Sequence, residues 1–463
     1  MLQVTLDDGT TEEYEDQPFT DGGQGSLHLS RDKKHVVKLY HNGDRRRLPV
    51  LQKIMGNFNI TRHDPSASSL FAWINGIVRS PKLGVRMRNV NYDLPHRELK
   101  WWLSPKTTRR ISEELRGNWF DRTCVASEMA RIAWKLHGSG LCHSDFSGNN
   151  FLVNVAHRRI VLIDLDNLVV PDVLPPAMMG TAEYMAPEIV IASMHNQTDV
   201  RPSIQTDLHS LAVLIYQLLL MRHPLRGPKV YDPENPERDD QLAFGARALY
   251  TEDPIDRSNR PKDPFRGAWL LGEEVESLMR RAFTEGLRNP SKRPLAAMWR
   301  DALSRMADQH VPCPNPACEG KAFILLRDHP AVCPWCNTRL SYPKQIPVLR
   351  LYYGVGQTGH FQQDKGRIVG WQSRTLHRWH VQSNFSEHEA MHSEDRAPLV
   401  EFQYDGRRGW VLHNLALEGL RLAEASRVQR VPPGAALPLR EGQKWLLGSG
   451  NTARLALVTM QST

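Results

Sequence analysis

Several things are scarce in this chain. No glutamate occurs between Glu15 and Glu98, and no serine, threonine or tyrosine lies between Leu165 and Gly180. The first stretch can supply no glutamate carboxylate, and the second offers no hydroxyl for a phosphate. Long apolar runs are missing too. The longest, Ser210 to Met221, is shorter than the roughly 20 residues needed to cross a bilayer and reads as a buried helix. The start, Met1-Leu2-Gln3-Val4-Thr5-Leu6-Asp7-Asp8, has no basic n-region and no apolar h-region, so no secretory signal is expected. Cysteine is rare, six in 463 residues, and four of the six share a metal-ligand spacing. Cys124 and Cys142 remain, both in apolar surroundings, and a reducing cytoplasm fits this usage. Charge of one sign is also modest: 59 Lys+Arg against 51 Asp+Glu leaves +8. That excess reads as a solvated surface, and neither a nucleic-acid nor a membrane partner is expected from it.

The length predicts two or three domains and ample core. Up to about residue 305, strand-like and helix-like patterns alternate. Short β-branched runs come early (Val36 to Tyr40), and long helical patterns follow at Cys124 to His137, Leu208 to Met221 and Glu274 to Phe283. That order predicts a small β-rich lobe to about residue 90 and a larger α-rich lobe after it. The Pro/Asp/Arg-rich stretch from Arg226 to Pro264 reads as an insert or long loop.

The most informative segment is His143-Ser144-Asp145-Phe146-Ser147-Gly148-Asn149-Asn150, followed by Ile163-Asp164-Leu165-Asp166. An Asp and an Asn five residues apart can serve both ends of a phosphoryl transfer. The Asp accepts a hydroxyl proton, and the Asn helps hold a metal on the phosphates. Asp164, at the end of the apolar run Ile160 to Ile163, can hold the metal from the other side. Further pieces follow a recognisable order: Gly22-Gly23-Gln24-Gly25, then Val36-Val37-Lys38, then Gly180 to Glu188 with Ala186-Pro187-Glu188, then Asp207, then Lys292-Arg293-Pro294.

Together these residues resemble a eukaryotic-like (Hanks-type) Ser/Thr protein kinase over about residues 15–305. The resemblance implies a bilobal fold, ATP and Mg²⁺ as cofactors, and protein substrates. It makes Asp145 the base and Asn150 and Asp164 the magnesium ligands. Lys38 becomes the phosphate-neutralising lysine, and Gly22, Gly23 and Gly25 the nucleotide loop. It also implies that Asp207 is a buried structural carboxylate and that Arg293 pairs with Glu188. Ile255 to Pro261, taken with Ala282-Phe283 and Trp299, is similar to kinases of tellurium-resistance-type phosphorylation triads. Their companions are a von Willebrand A-type protein and a metal-dependent protein phosphatase.

The chain departs from the family at several points. Thr20 stands at the first loop glycine, and Ser144 at the arginine that receives an activation-loop phosphate. Ser147 replaces a catalytic-loop lysine, and Asp166 replaces the glycine after the metal aspartate. With no acceptor before Thr181, activation by phosphorylation of that segment is not expected. The missing glutamate leaves Lys38 without its usual helix partner. Gln52, on the helical Leu48 to Met55 pattern, Asp44, or the phosphates alone are the candidates for holding it. These departures lean toward a rival function, a nucleotide-binding pseudokinase scaffold, whereas Asp145, Asn150, Asp164 and Lys38 lean toward catalysis.

Residues 311–342 carry Cys313, Cys318, Cys333 and Cys336 in a C-x4-C, x14, C-x2-C spacing, with prolines after two of them. Two thiolate pairs across a short hairpin predict a zinc ribbon with structural Zn²⁺; four unrelated thiols or two disulfides are the alternatives. A nucleic-acid-binding ribbon is a third functional reading. Residues 345–463 read as all-β, with strands near Val348 to Tyr353, Leu399 to Gln403, Trp410 to His413 and Leu455 to Thr459. The segments Ser393 to Ala397, Gly409 to Asn414, Glu418-Gly419 and Leu439 to Gly442 resemble a degenerate forkhead-associated (FHA) sandwich. There Ser393 sits at the motif serine, Arg396 replaces a histidine and Glu418 replaces an asparagine. A carboxylate repels phosphate, so a docking module is favoured over a phosphopeptide reader. The class expected is therefore multidomain α+β. His388-Glu389-Ala390-Met391-His392 spells a zinc-protease motif, but its polar flanks predict a loop.

Overall fold

The computed structural model describes residues 1–463 except 171–179, 198, 263–264, 356–358, 391 and 425–426. The described chain forms two compact units. One comprises Met1–Gly117, Cys124–Ala268 and Glu273–Arg300; the other comprises Asn118–Thr123, Trp269–Gly272 and Asp301–Thr463.

The first unit begins with seven antiparallel strands: β1 (Leu2–Leu6), β2 (Thr11–Tyr14), β3 (Thr20–Asp21), β4 (Gly25–Leu29), β5 (His35–Tyr40), β6 (Ile74–Ser80) and β7 (Gly84–Arg88). Their order is β2-β1-β6-β7-β5-β4-β3. Val4, Leu6, Tyr14, Val37, Leu39 and Val78 form a buried cluster on this sheet. Gly25 is needed by the pairing itself, because a Cβ there would lie 2.4 Å from the Leu39 carbonyl oxygen. Helix α1 (Leu48–Met55) opens with Pro49, whose fixed φ suits a first turn. It buries Leu51 and Ile54, while Gln52 faces solvent.

The α-rich part is built on long helices. Trp119–Gly138 starts where Asn118 and Asp121 exchange side chain-to-backbone hydrogen bonds, at 2.9 and 3.0 Å. This extends the helix beyond the Cys124 start that its periodicity suggests. Ile204–Leu220 opens on a Ser203/Thr206 capping box and buries nearly every side chain, as a helix apolar all round must. Gly272–Phe283 buries Val275, Leu278, Met279, Ala282 and Phe283, one helical stripe. The stretch expected as a loop from Arg226 contains a helix, Pro236–Phe244, capped by Asn235 with proline at its first position. Arg226 pairs with Asp239 at 2.6 Å and also with Asp240, and Asn259 donates to the Leu225 and Leu249 carbonyls. Residues 263–264 of that stretch lie outside the described residues.

In the second unit, His310–Pro312 pairs with Ala322–Ile324 beneath the cysteines. The remaining strands make two antiparallel sheets. The six-stranded one runs Phe361–Val369, Gln345–Gly354, Arg454–Ser462, Lys444–Leu447, Leu420–Ala423, Val428–Arg430. The four-stranded one runs Thr375–Leu376, Val400–Asp405, Gly409–Asn414, Ala436–Pro438. Leu349, Phe402, Leu412, Trp445 and Val458 are among the buried residues of one core fed by both sheets. No described helix in either unit is long and apolar enough to cross a membrane.

Candidate functional site

Two short strand pairs carry the loops of the predicted site. Phe151–Asn154 pairs with Arg159–Leu162, and Cys142–His143 pairs with Leu168–Val169. Asp145 and Asn150 therefore lie on the loop that joins Cys142–His143 to Phe151–Asn154, and Asp164 lies on the return loop that joins Arg159–Leu162 to Leu168–Val169. Asn150 Nδ2 donates to the Asp145 carbonyl at 2.7 Å and to its Oδ2 at 2.9 Å. The amide nitrogen is thereby committed to Asp145, so Oδ1 is the atom left to serve as a ligand. The Ile163 N–H donates to the Asn150 carbonyl at 2.9 Å, and the Ser144 hydroxyl donates to the Asn167 carbonyl at 3.0 Å.

A buried carboxylate braces this loop from below. Asp207 Oδ2 accepts the His143 N–H at 2.8 Å and is hydrogen-bonded to His137 Nε2 at 3.1 Å. Burial pushes the Asp207 carboxyl above the usual range, against the pull of His137. Arg293, 2% exposed, makes a bidentate pair with Glu188 at 2.8 and 2.7 Å. The same guanidinium donates to the Gln205 and Gly286 carbonyls, which ties the 186–188 turn to the helix that carries Asp207.

Lys38 reaches this region from β5. Its Nζ lies 2.5 Å from Asp164 Oδ1 and 3.0 Å from Asp166. Burial would lower the ammonium pKa, but Asp166 and Asp164 outweigh it and the net direction is up. Burial likewise pushes the Asp164 carboxyl up, Lys38 pulls it down, and the net direction is down. The predicted holders of Lys38 are not its partners. Gln52 faces solvent, and Asp44 caps the turn at Arg45–Arg47, accepting from Arg46 N at 3.0 Å. The sequence signal that could have found the true arrangement is the extra carboxylate at 166.

The glycine segment is only partly explained by a ligand. Gly22 and Gly23 sit at the open tip of the β3–β4 hairpin, whereas Gly25 answers to strand pairing. The tip does reach the site: the Asn167 amide donates to Gln24 Oε1 at 2.9 Å and to Asp164 Oδ2 at 3.0 Å. Asp166 does not occupy a left-handed conformation; Asp164 does, at φ 62°. The loss of glycine at 166 therefore costs no backbone strain. Ser147 is fully buried, and its hydroxyl has no hydrogen-bond partner among the described residues. Residues 171–179 of the acceptor-free segment lie outside the described residues.

In the second unit, the four predicted cysteines converge. All four sulfurs lie within 4.8 Å of one another, with Cys313–Cys336 at 3.5 Å and Cys318–Cys333 at 3.7 Å. A disulfide needs about 2.05 Å, and a tetrahedron of sulfurs about 2.3 Å from a zinc ion has edges near 3.8 Å, so the cluster has the dimensions of the metal site. Burial opposes ionisation of Cys336, but its hydrogen bonds with the Thr338 side chain and backbone win and bring the thiol down to about 6. A Cβ at Gly320 would fall 2.2 Å from the Trp335 ring, and Trp335 packs edge-on against Trp119 at 5.2 Å.

The FHA-like positions are surface features. Ser393, Arg396 and Glu418 are exposed; Arg396 donates to the Ala390 carbonyl, and Glu418 lies 3.6 Å from Arg430. Asn414, fully buried, pins the neighbouring loop through Leu417 and Val431. Among the described residues of the protease-like motif there is no α-helix: Glu387–Glu389 is a single 3-10 turn in which Glu389 caps Ser386, and Met391 lies outside the described residues.

Residues 95–299 match the family model of the protein kinase domain. Among curated proteins, the chain is 28% identical over 125 residues to serine/threonine-protein kinase kin-29 of Caenorhabditis briggsae, covering 27% of this chain and 14% of that one. It is 27% identical over 165 residues to probable serine/threonine-protein kinase RTK1 of Saccharomyces cerevisiae, 34% of this chain and 24% of that one. It is 30% identical over 104 residues to serine/threonine-protein kinase AtPK2/AtPK19 of Arabidopsis thaliana, 22% and 21%. The chain spans a quarter or less of each of these relatives. The strands bearing Lys38 and the glycine hairpin precede the matched segment.

Proposed function

We propose that the chain is an ATP- and Mg²⁺-dependent Ser/Thr protein kinase. The observation that carries this is the linked set Asp145–Asn150–Ile163/Asp164–Lys38, whose contacts run from the loop base to the sheet lysine. Asp145 would orient and deprotonate a substrate hydroxyl. Asn150 Oδ1 and Asp164 offer the hard oxygens that magnesium takes, and the bound Mg²⁺–nucleotide would supply an electrophilic γ-phosphorus with its charge partly neutralised. Lys38 would meet the phosphates from β5, and Gly22 and Gly23 leave the hairpin tip open to them. Labelled γ-phosphate transfer to protein substrates, compared between wild type and Asp145→Ala, tests the reading. Equal transfer by both would sink it.

The second reading, a nucleotide-binding scaffold, is favoured by Ser147, where an unpaired buried hydroxyl replaces a charge-neutralising lysine. It expects Mg²⁺–ATP binding with no Asp145-dependent turnover.

The domain reading places the kinase at 1–305, a zinc ribbon at 311–342 with structural Zn²⁺ on Cys313, Cys318, Cys333 and Cys336, and an FHA-like sandwich at 345–463. The sulfur spacing supports the zinc, and the two-sheet core supports the sandwich. With Glu418 exposed at the position of an asparagine, the sandwich serves docking rather than phosphate recognition. Partners of the von Willebrand A and metal-dependent phosphatase types, and a bacterial cytoplasmic setting, follow from the tellurium-resistance-type likeness. Co-purification with those proteins tests them.

A further inference from the structure

The lysine that faces the nucleotide needs a second, permanent partner, because its contact to Asp164 competes with a metal for that carboxylate. We propose that Asp166 is the positioning residue for Lys38 and replaces the missing helix carboxylate, a proposal that rests on the kinase reading above.

Asp166 is built for this. Its side chain is 0% exposed and lies 3.0 Å from Lys38 Nζ. Tyr40, two residues along β5 from Lys38 and on the same face of the strand, donates its hydroxyl to Asp166 Oδ2 at 2.8 Å. Arg47 approaches the same oxygen at 3.5 Å, donates to Asn167 Oδ1 at 2.5 Å, and stacks over the Tyr40 ring at 4.1 Å. Two carboxylates and two cations thus balance in one cluster around the buried Asp166 and Lys38, with Asp164 and Arg47 partly exposed, which is what keeps an extra aspartate tolerable there. When Asp164 turns to a metal, Lys38 stays on Asp166. The link to α1 survives with its polarity reversed. The residue just before the helix supplies a cation to the loop carboxylate, where a helix carboxylate would otherwise pair with the lysine directly.

A double-mutant cycle between Asp166→Asn and Lys38→Met in the full chain tests this, with Mg²⁺–ATP affinity as the readout. Removing a negative charge that acts only through space would tighten ATP binding, whereas loss of lysine orientation loosens it. The expected result is weakening on the order of tenfold in wild type and less than about twofold in the Lys38→Met background, with kcat falling on the order of 100-fold in the single variant. Gln52→Ala should leave both unchanged. Tighter binding, or equal weakening in both backgrounds, would overturn the proposal. If Asp166→Asn fails to fold, Tyr40→Phe carries the same cycle with a smaller expected effect. Coupling in the binding cycle without any Asp145-dependent phosphate transfer would keep the positioning role and reject the kinase reading instead.

Discussion

The loop around Asp145 and the cluster around Cys333 both hold short irregular segments in fixed places, and they do it by opposite means. The first is braced by carboxylates that already have their protein partners: Asp207 on His143 and His137, Glu188 on Arg293, Asp166 on Lys38, Tyr40 and Arg47. The second brings four cysteine sulfurs to within 4.8 Å of one another, the arrangement that a metal would bind as thiolates. The charged groups of the first region are paired within the protein; on the zinc reading, the second would delegate its cohesion to an ion. A short network of charges can be reconfigured by a ligand, while a saturated tetrahedral site has nothing left to offer one.

Metal removal is the strongest way to break this comparison. A strong chelator should destabilise the second unit by about 10 kcal/mol of apparent zinc-binding energy, exposing Trp335 and Trp119 to solvent. Tryptophan fluorescence and elemental analysis would show it, while nucleotide binding by the first unit persists. Loss of both together, or absence of stoichiometric metal in the purified chain, would break the contrast. Next in size is Asp207→Ala, which strips the acceptor from His143 N–H and His137. About 3 kcal/mol of stability should go, read by thermal melting, with phosphate transfer lost in proportion beyond that. Glu188→Gln leaves the nearly buried Arg293 guanidinium half-paired and should cost about 2 kcal/mol; an unchanged Tm would mean the bidentate pair contributes specificity alone.

The last effect is acid sensitivity, and it is divided between the two units. Burial pushes His223 down to about 4 and His310 down to about 3, so both are neutral in the fold. Their unfolded forms take up a proton below about 6.5. The stability they contribute is therefore complete above that pH and falls as the solution is acidified toward the folded values. At pH 5 the loss is about 2 kcal/mol for each, measurable as a drop in Tm between pH 7 and pH 5. A flat profile would mean these rings are already charged in the fold.

Much of this was legible from residue order alone, for reasons tied to range. α1 at Leu48–Met55 and strand β5 follow patterns that repeat over a few residues, and the four cysteines announce themselves by spacing. The pairing of Arg293 with Glu188 was legible only through family likeness. The holder of Lys38 was not legible: it lies 128 residues away, and its own neighbourhood reads as a damaged glycine motif. The helix at Pro236–Phe244 was missed because proline and acids read as a loop, although Asn235-Pro236 followed by acidic residues is a cap with a charged first turn. The early start of Trp119–Gly138 was missed because Asn118 and Asp121 cap each other without any hydrophobic period to show it.

That early start bears on the order of assembly. Residues Asn118–Thr123 belong to the second unit, where the Trp119 ring meets His310 at 5.2 Å and Trp335 at 5.2 Å, and the Trp119 N–H donates to the Gly320 carbonyl. A ribosome delivers this turn nearly two hundred residues before its neighbours, so it must wait, apolar and unsheltered, until the chain past residue 335 has emerged. Any fragment trimmed at residue 305 for expression inherits the same orphaned indole, and its solubility will be decided there rather than at the loop around Asp145.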